Sequence, residues 1–228
     1  MRSRPTTILT AILAVLSITA FAATTASASL PEMLTKGVWP VTYASESGEV
    51  TLQTTEKLKG FNGTIHCLAS RNGGEISSFK SFAKVHITYT GCKAASNGAA
   101  CTSKGAAAGE IVTNHLKAEL VYTNKAAKEV GQVFKPEAAG GALAEYACSI
   151  YAIKLTGAVI AKLPNEQVNK LRTSFTWNYR QAAGIQEPTE YEEGATKVSA
   201  FLTSFSGEQT GEAATETMSL STSVEIHA

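Results

Sequence analysis

Aspartate does not occur in this chain; all 19 of its acidic residues are glutamate. Calcium loops of the EF-hand kind begin with aspartate, so that class is excluded. An aspartic-protease dyad is impossible, and a Ser-His-acid triad would need glutamate as its third member. Other signatures are missing too. There is no Gly-x-Ser-x-Gly elbow, no His-Glu-x-x-His and no phosphate-cradling glycine loop ending in Lys-Ser or Lys-Thr. No Cys-x-x-Cys pair supports a zinc ribbon or a thioredoxin-type centre. Nothing after the N-terminal segment approaches the roughly 18 continuous apolar residues that a membrane helix needs.

That N-terminal segment is the clearest positive signal. Arg2 and Arg4 form a short basic region, followed by an apolar stretch over residues 8–22 and the small-x-small site Ala26-Ser27-Ala28. This order describes a secretory signal peptide, residues 1–28, removed after Ala28; Ala20-Phe21-Ala22 is a second candidate site. Residues 29–228 are then expected as a single β-rich domain, a length able to bury a full core. Losing Arg2 and Arg4 takes the basic count from 20 to 18, against 19 glutamates. A surface so balanced lacks the concentrated positive charge that phosphate backbones require, which argues against nucleic acid.

Four cysteines remain, Cys67, Cys92, Cys101 and Cys148. An even number in an exported chain favours two disulfides over metal ligation, and four cysteines allow three connectivities. Cys92 and Cys101 flank a loop of small, turn-forming residues that can bring its ends together. The expectation is therefore a local Cys92–Cys101 staple and a long-range Cys67–Cys148 bridge. His66 beside Cys67 suggests no metal site, because adjacent strand residues face opposite sides.

Alternation with a period of two recurs along the chain. Leu171, Thr173, Phe175, Trp177 and Tyr179 share one phase of a strand. Met218, Leu220, Thr222, Val224 and Ile226 share another, and similar runs cover residues 83–90, 115–122 and 153–163. One buried and one wet face is the mark of antiparallel sheet. Turn-forming clusters such as Ser47-Gly48, Asn72-Gly73-Gly74 and Pro164-Asn165 separate the runs. The pattern predicts an all-β antiparallel sandwich or barrel of about ten strands, stapled by disulfides. Short helical turns are expected over residues 31–36 and 165–170. A loop is expected over residues 94–109.

Certain segments carry a resemblance. They are Tyr89-Thr-Gly-Cys92, Cys101-Thr-Ser-Lys-Gly105, Gly109-Glu-Ile-Val-Thr113, Leu116, Val130-Gly131, Tyr146-Ala-Cys148 and Leu163-Pro-Asn165. Through them the chain resembles an uncharacterised group of exported, four-cysteine proteins from high-GC Gram-positive bacteria, over roughly residues 60–180. The resemblance implies export and a joint role for the four cysteines. It brings no mechanism and no catalytic or binding residues.

The remaining candidates read as ordinary surface or core. His86 and His115 lie on the polar phase of their strands and are expected as solvated imidazoles, able to meet only across a sheet. Glu190, Glu192 and Glu193 with Tyr191 read as an acidic loop. Phe175, Trp177 and Tyr179 read as core, because Asn178 and Arg180 lie on the opposite face and could not help Trp177 orient a sugar. No cofactor, metal or catalytic residue is expected. The leading expectation is a non-catalytic β-structured protein, secreted or in the cell envelope, whose partner is left open between envelope and glycan contact. A carbohydrate-binding module using Trp177 and Tyr179 is the alternative. A secreted hydrolase built from distant Glu and His is the third.

Overall fold

The computed structural model describes residues 31–55, 62–204 and 207–228. The signal peptide and its cleavage site lie outside the described residues. The strands are β1 (Glu32–Thr35), β2 (Val41–Ser47), β3 (Val50–Thr54), β4 (Thr64–Cys67), β5 (Ala69–Ile76), β6 (Ser81–Thr90), β7 (Lys93–Ala94), β8 (Cys101–Thr102), β9 (Ile111–Val112) and β10 (Leu116–Asn124). They continue with β11 (Glu129–Pro136), β12 (Ala142–Cys148), β13 (Tyr151–Gly157), β14 (Val159–Lys162), β15 (Leu171–Ala182), β16 (Ile185–Glu187), β17 (Glu190–Glu193), β18 (Thr196–Ser199), β19 (Leu202–Ser204) and β20 (Glu208–His227). A 3-10 turn, Asn165–Gln167, sits in the segment expected to hold a helical turn. Among the described residues no helix is long and apolar enough to cross a membrane.

Eight of these strands close a barrel. Going round, β2 pairs with β5, β5 with β6, β6 with β10 and β10 with β11. Then β11 pairs with β14, β14 with β15, β15 with β20, and β20 returns to β2. Every pairing is antiparallel, as the alternation requires. A barrel of eight strands has an interior just wide enough for side chains to fill. Here Phe175, Trp177, Tyr179, Phe134, Leu116, Val85 and Met218 fill it, each at most 4% exposed.

The N-terminal half of β20 leaves the barrel and enters a second circuit of pairings. From β20 the order is β3, β4, β7, then β8 through the Lys93–Ala100 bridge. It returns through β12, β13 and β19 to β20. Most of these strands are short, and β7 and β8 have two residues each. They account for much of the excess over the ten strands legible in the sequence. The step from barrel to second circuit falls at Leu68, between β4 and β5, and at Gly91, between β6 and β7. Gly91 has φ +66°, and a Cβ there would meet the Leu68 side chain at 2.7 Å, so the bend needs glycine.

The disulfides differ from the expected pairing: they are Cys67–Cys92 and Cys101–Cys148. Register explains why. Ile65 lies opposite Ala94 and His66 opposite Lys93, which sets Cys67 opposite Cys92. Cys101 lies opposite Cys148, and the Lys93–Ala100 bridge sets Cys92 opposite Cys101. The four cysteines thus form one row across neighbouring strands. The Cys92 N–H donates to Gly109 O (2.8 Å), and the Cys92 carbonyl accepts from the Cys101 N–H (3.0 Å). Both groups point away from Cys67, so Cys67 and Cys92 face each other where no ladder bond intervenes and opposed residues come closest. Their Cα atoms are 3.9 Å apart, and those of Cys101 and Cys148 are 4.2 Å apart. The Cys92/Cys101 loop does bring its ends together, but through a backbone hydrogen bond.

Two further expectations are corrected. Residues 32–35 form β1, paired with Val224–His227 of β20, where a helical turn was expected. The edge of β20 there has ladder groups to satisfy, and that pairing outweighs the local preference. Glu190–Glu193 is strand β17, in a hairpin with β18, where an acidic loop was expected. The hairpin lies over the outer face of β10, β11 and β14. It buries Tyr191 with Val121, Val133 and Ile160 in a small separate cluster.

Candidate functional site

Two places gather polar side chains: the interior of the barrel and one outer face of it. The interior set begins on β20. Residues 212, 214, 216 and 218 share its inward phase, so two glutamates enter the core alongside Met218. Glu212 is 4% exposed and Glu216 is 3% exposed. The Tyr89 hydroxyl donates to both carboxylate oxygens of Glu212, at 3.4 Å each. Glu216 accepts from Asn72 Nδ2 on Oε1 and from the Tyr179 hydroxyl on Oε2, at 3.3 Å each. The Tyr43 hydroxyl donates to Asn72 Oδ1 at 3.3 Å. Gln186 closes the set, accepting the Glu212 N–H (3.2 Å) and donating to the Arg180 carbonyl (2.7 Å).

Burial governs the electrostatics. It pushes the Glu212 carboxyl up to about 8, and the like charge of Glu216 adds to this, while the Tyr89 hydrogen bond opposes it. Burial also raises Glu216, against the hydrogen bonds that favour its charged form. The Tyr89 and Tyr179 hydroxyls are raised well above 10 by burial first and by the neighbouring carboxylates second, so they stay donors. A cavity of about 20 Å³ borders Tyr89 and Glu212. That is room for one water molecule. Burial thus favours the neutral form of the Glu212 carboxyl inside the filled barrel.

The outer face offers open grooves. Leu116 lies opposite Val85 on one side and Pro136 on the other. One step outward in register, His115 stands between His86 and Glu137. The rings of His86 and His115 are 6.2 Å apart between centroids. The Glu137 N–H donates to the His115 carbonyl at 3.0 Å. All three residues are exposed and line a groove of about 560 Å³ with Asn114. A second groove of about 570 Å³ is lined by Glu129, Lys162, Asn178, Arg180 and Glu187, with Lys162 paired to Glu129 at 2.8 Å.

The residues singled out in the sequence fall as follows. Phe175, Trp177 and Tyr179 are 2%, 0% and 4% exposed and face into the barrel. They are core, and no part of a sugar platform. His86 and His115 are exposed as expected, and they do meet across the sheet. His66 is exposed and Cys67 buried, on opposite faces as expected; His66 Nδ1 lies 3.2 Å from Thr51 Oγ1. Glu192 accepts the Lys125 N–H at 2.8 Å and Glu190 lies 3.5 Å from Lys197. Glu212, Glu216, Asn72 and Tyr89 were not singled out. A signal was present: stepping back by twos from Met218 along the apolar phase of β20 reaches Glu216 and Glu212. A carboxylate on a core phase marks a buried polar set.

No family model, curated protein or solved structure matches this chain.

Proposed function

We propose that the chain is exported, loses its leader after Ala28, and works in the cell envelope or extracellular space as a non-catalytic β-barrel module that meets its partners through its outer face. The observation carrying this reading is the filled barrel interior. Trp177, Phe134 and Tyr179 occupy the space where barrels of similar size hold a ligand. Glu212 has a cavity of only about 20 Å³ beside it. Two disulfides, with no free cysteine among the described residues, fit an oxidising compartment. Kinship with the exported four-cysteine proteins of high-GC Gram-positive bacteria is part of the same proposal. Several of its shared segments meet at the cysteine row: Gly109 bonds Cys92, and Ser103 Oγ donates to the Glu145 carbonyl beside Tyr146.

The carbohydrate alternative loses the two aromatics on which it rested. The hydrolase alternative, built from distant Glu and His, has such groups side by side in the outer grooves, His86, His115 and Glu137 in one and Glu129, Glu166 and Glu187 in the other, and a substrate panel decides it. The test is fractionation of cells producing the full chain, with N-terminal sequencing of the exported form and a panel of glycosidase, esterase and peptidase substrates. A product beginning at Ser29 in envelope or medium, inert on the panel, is expected. Retention in the cytosol with Met1 intact would remove the export reading, and turnover lost with an outer-face substitution would replace the non-catalytic one.

A further inference from the structure

The outer face of the barrel carries a row that the proposed function does not use. Gly73 lies opposite His86 across β5 and β6, and one residue beyond the ends of β10 and β11 the row continues with His115 and Glu137. All four positions lie on one face, outside the barrel. Gly73 puts no side chain beside His86, which leaves that flank of the imidazole open. Neither imidazole donates or accepts a hydrogen bond among the described residues, so their nitrogens are available. From this row we propose a divalent transition-metal site, with His86 and His115 as the two nitrogen ligands and Glu137 as the carboxylate.

The distances decide whether this is feasible. A metal–nitrogen bond of about 2.0–2.1 Å in tetrahedral geometry sets two ligating imidazole centroids on the order of 5 Å apart. The rings now stand 6.2 Å apart and tilted by 44°. Rotation of two exposed side chains by about 1 Å therefore closes the pair around one ion. Among the described residues no group of three or more His, Cys or Glu is placed to hold a metal ion as the side chains stand, so the site forms only with their movement. His115 stands between His86 and Glu137, so the Glu137 carboxylate must reach across about one and a half strand spacings, roughly 7 Å, with its exposed side chain extended. Two imidazoles and a carboxylate suit zinc or copper(II), with copper held more tightly by the ordinary affinity order. The open groove leaves the remaining coordination positions to water or to a donor from a partner.

The test uses the untagged full-length chain, stripped with chelator, titrated with zinc by calorimetry and with copper(II) by electron paramagnetic resonance. Micromolar binding of one ion is expected, with nitrogen splitting in the copper spectrum. His86→Ala and His115→Ala should each weaken it at least tenfold, and Glu137→Gln by about threefold to tenfold. His66→Ala should change nothing. The thermal midpoint without metal verifies that each variant is folded. The metal should raise that midpoint in wild type and leave it unmoved in the double variant His86→Ala/His115→Ala. Equal binding by wild type and the double variant, or no binding by wild type at 1 mM metal, would overturn the proposal.

Discussion

The two circuits that share β20 are held together by different means. The barrel has strands of 4 to 20 residues and a lumen filled with aromatic and aliphatic side chains. The second circuit closes through two strands of two residues each, and both disulfides lie in it. A two-residue strand offers few ladder hydrogen bonds and little side-chain area. There the chain uses covalent links between directly opposed residues. The contrast teaches where each kind of stabilisation is needed: packing suffices where strands are long enough to enclose a core, and cross-links are added to packing where they are not.

The sharpest way to break the comparison is to empty the lumen. Trp177 is fully buried between Phe175 and Tyr179 on β15, opposite Glu216 of β20. Trp177→Ala should cost about 3–5 kcal/mol, the usual range for removing a large aromatic from a core. Urea unfolding followed by circular dichroism measures it. In a Trp39→Phe background, Trp177 should emit in the blue and resist acrylamide quenching. A loss below about 1 kcal/mol with red emission would return the residue to the surface and revive the sugar-platform reading.

Cutting the cross-links comes next. The loops closed by Cys67–Cys92 and Cys101–Cys148 span 25 and 47 residues. Chain entropy makes these bridges worth about 3.5 and about 4 kcal/mol at most. Paired Cys→Ala replacements should approach those losses, and they should act locally. Hydrogen exchange should speed up in β4, β7, β8 and β12 while β15 and the barrel half of β20 stay protected. Uniform loss of protection would mean that the circuits do not differ as argued. Unreduced peptide mapping tests the pairing itself, and a Cys92–Cys101 peptide would refute the register argument.

How much of this was legible in the sequence follows the same division. Alternation over residues 171–179 and 218–226 revealed the long barrel strands and the inward phase of Trp177, because a buried face writes its period into the chain. The short strands of the second circuit carry no such period; two residues cannot alternate. The disulfide pairing failed for a related reason. Loop length brought Cys92 and Cys101 together correctly, but which opposed pair lacks ladder bonds depends on partners at residues 109 and 148 that only the fold supplies. The meeting of His86 with His115 depended on the register between β6 and β10, which a single sequence does not encode. The lumenal glutamates were within reach, since they continue the apolar phase of β20.

The smallest expected effect turns on those glutamates, the charged members of a lumen filled mainly by packing. The Glu212 carboxyl is raised from an ordinary 4.5 to about 8, by burial first and by Glu216 second. Between those two values the folded protein keeps a proton that the unfolded chain releases. The folded state therefore binds more protons, and stability must fall as pH rises through that window. The contribution is complete below about 4.5 and is lost as pH passes about 8; Glu216, shifted in the same direction, adds to the slope. Between pH 7 and pH 9 the Glu212 share of the loss is on the order of 1 kcal/mol. Urea midpoints taken at intervals over that range should drift downward in wild type. Glu212→Gln keeps an acceptor for the Tyr89 hydroxyl and carries no charge, so its midpoints should lie flatter. Parallel profiles in the two proteins would show that Glu212 is ionised or hydrated in the folded state. The lumen would then be wetter than its packing indicates, and the contrast between the two circuits would have to rest on strand length alone.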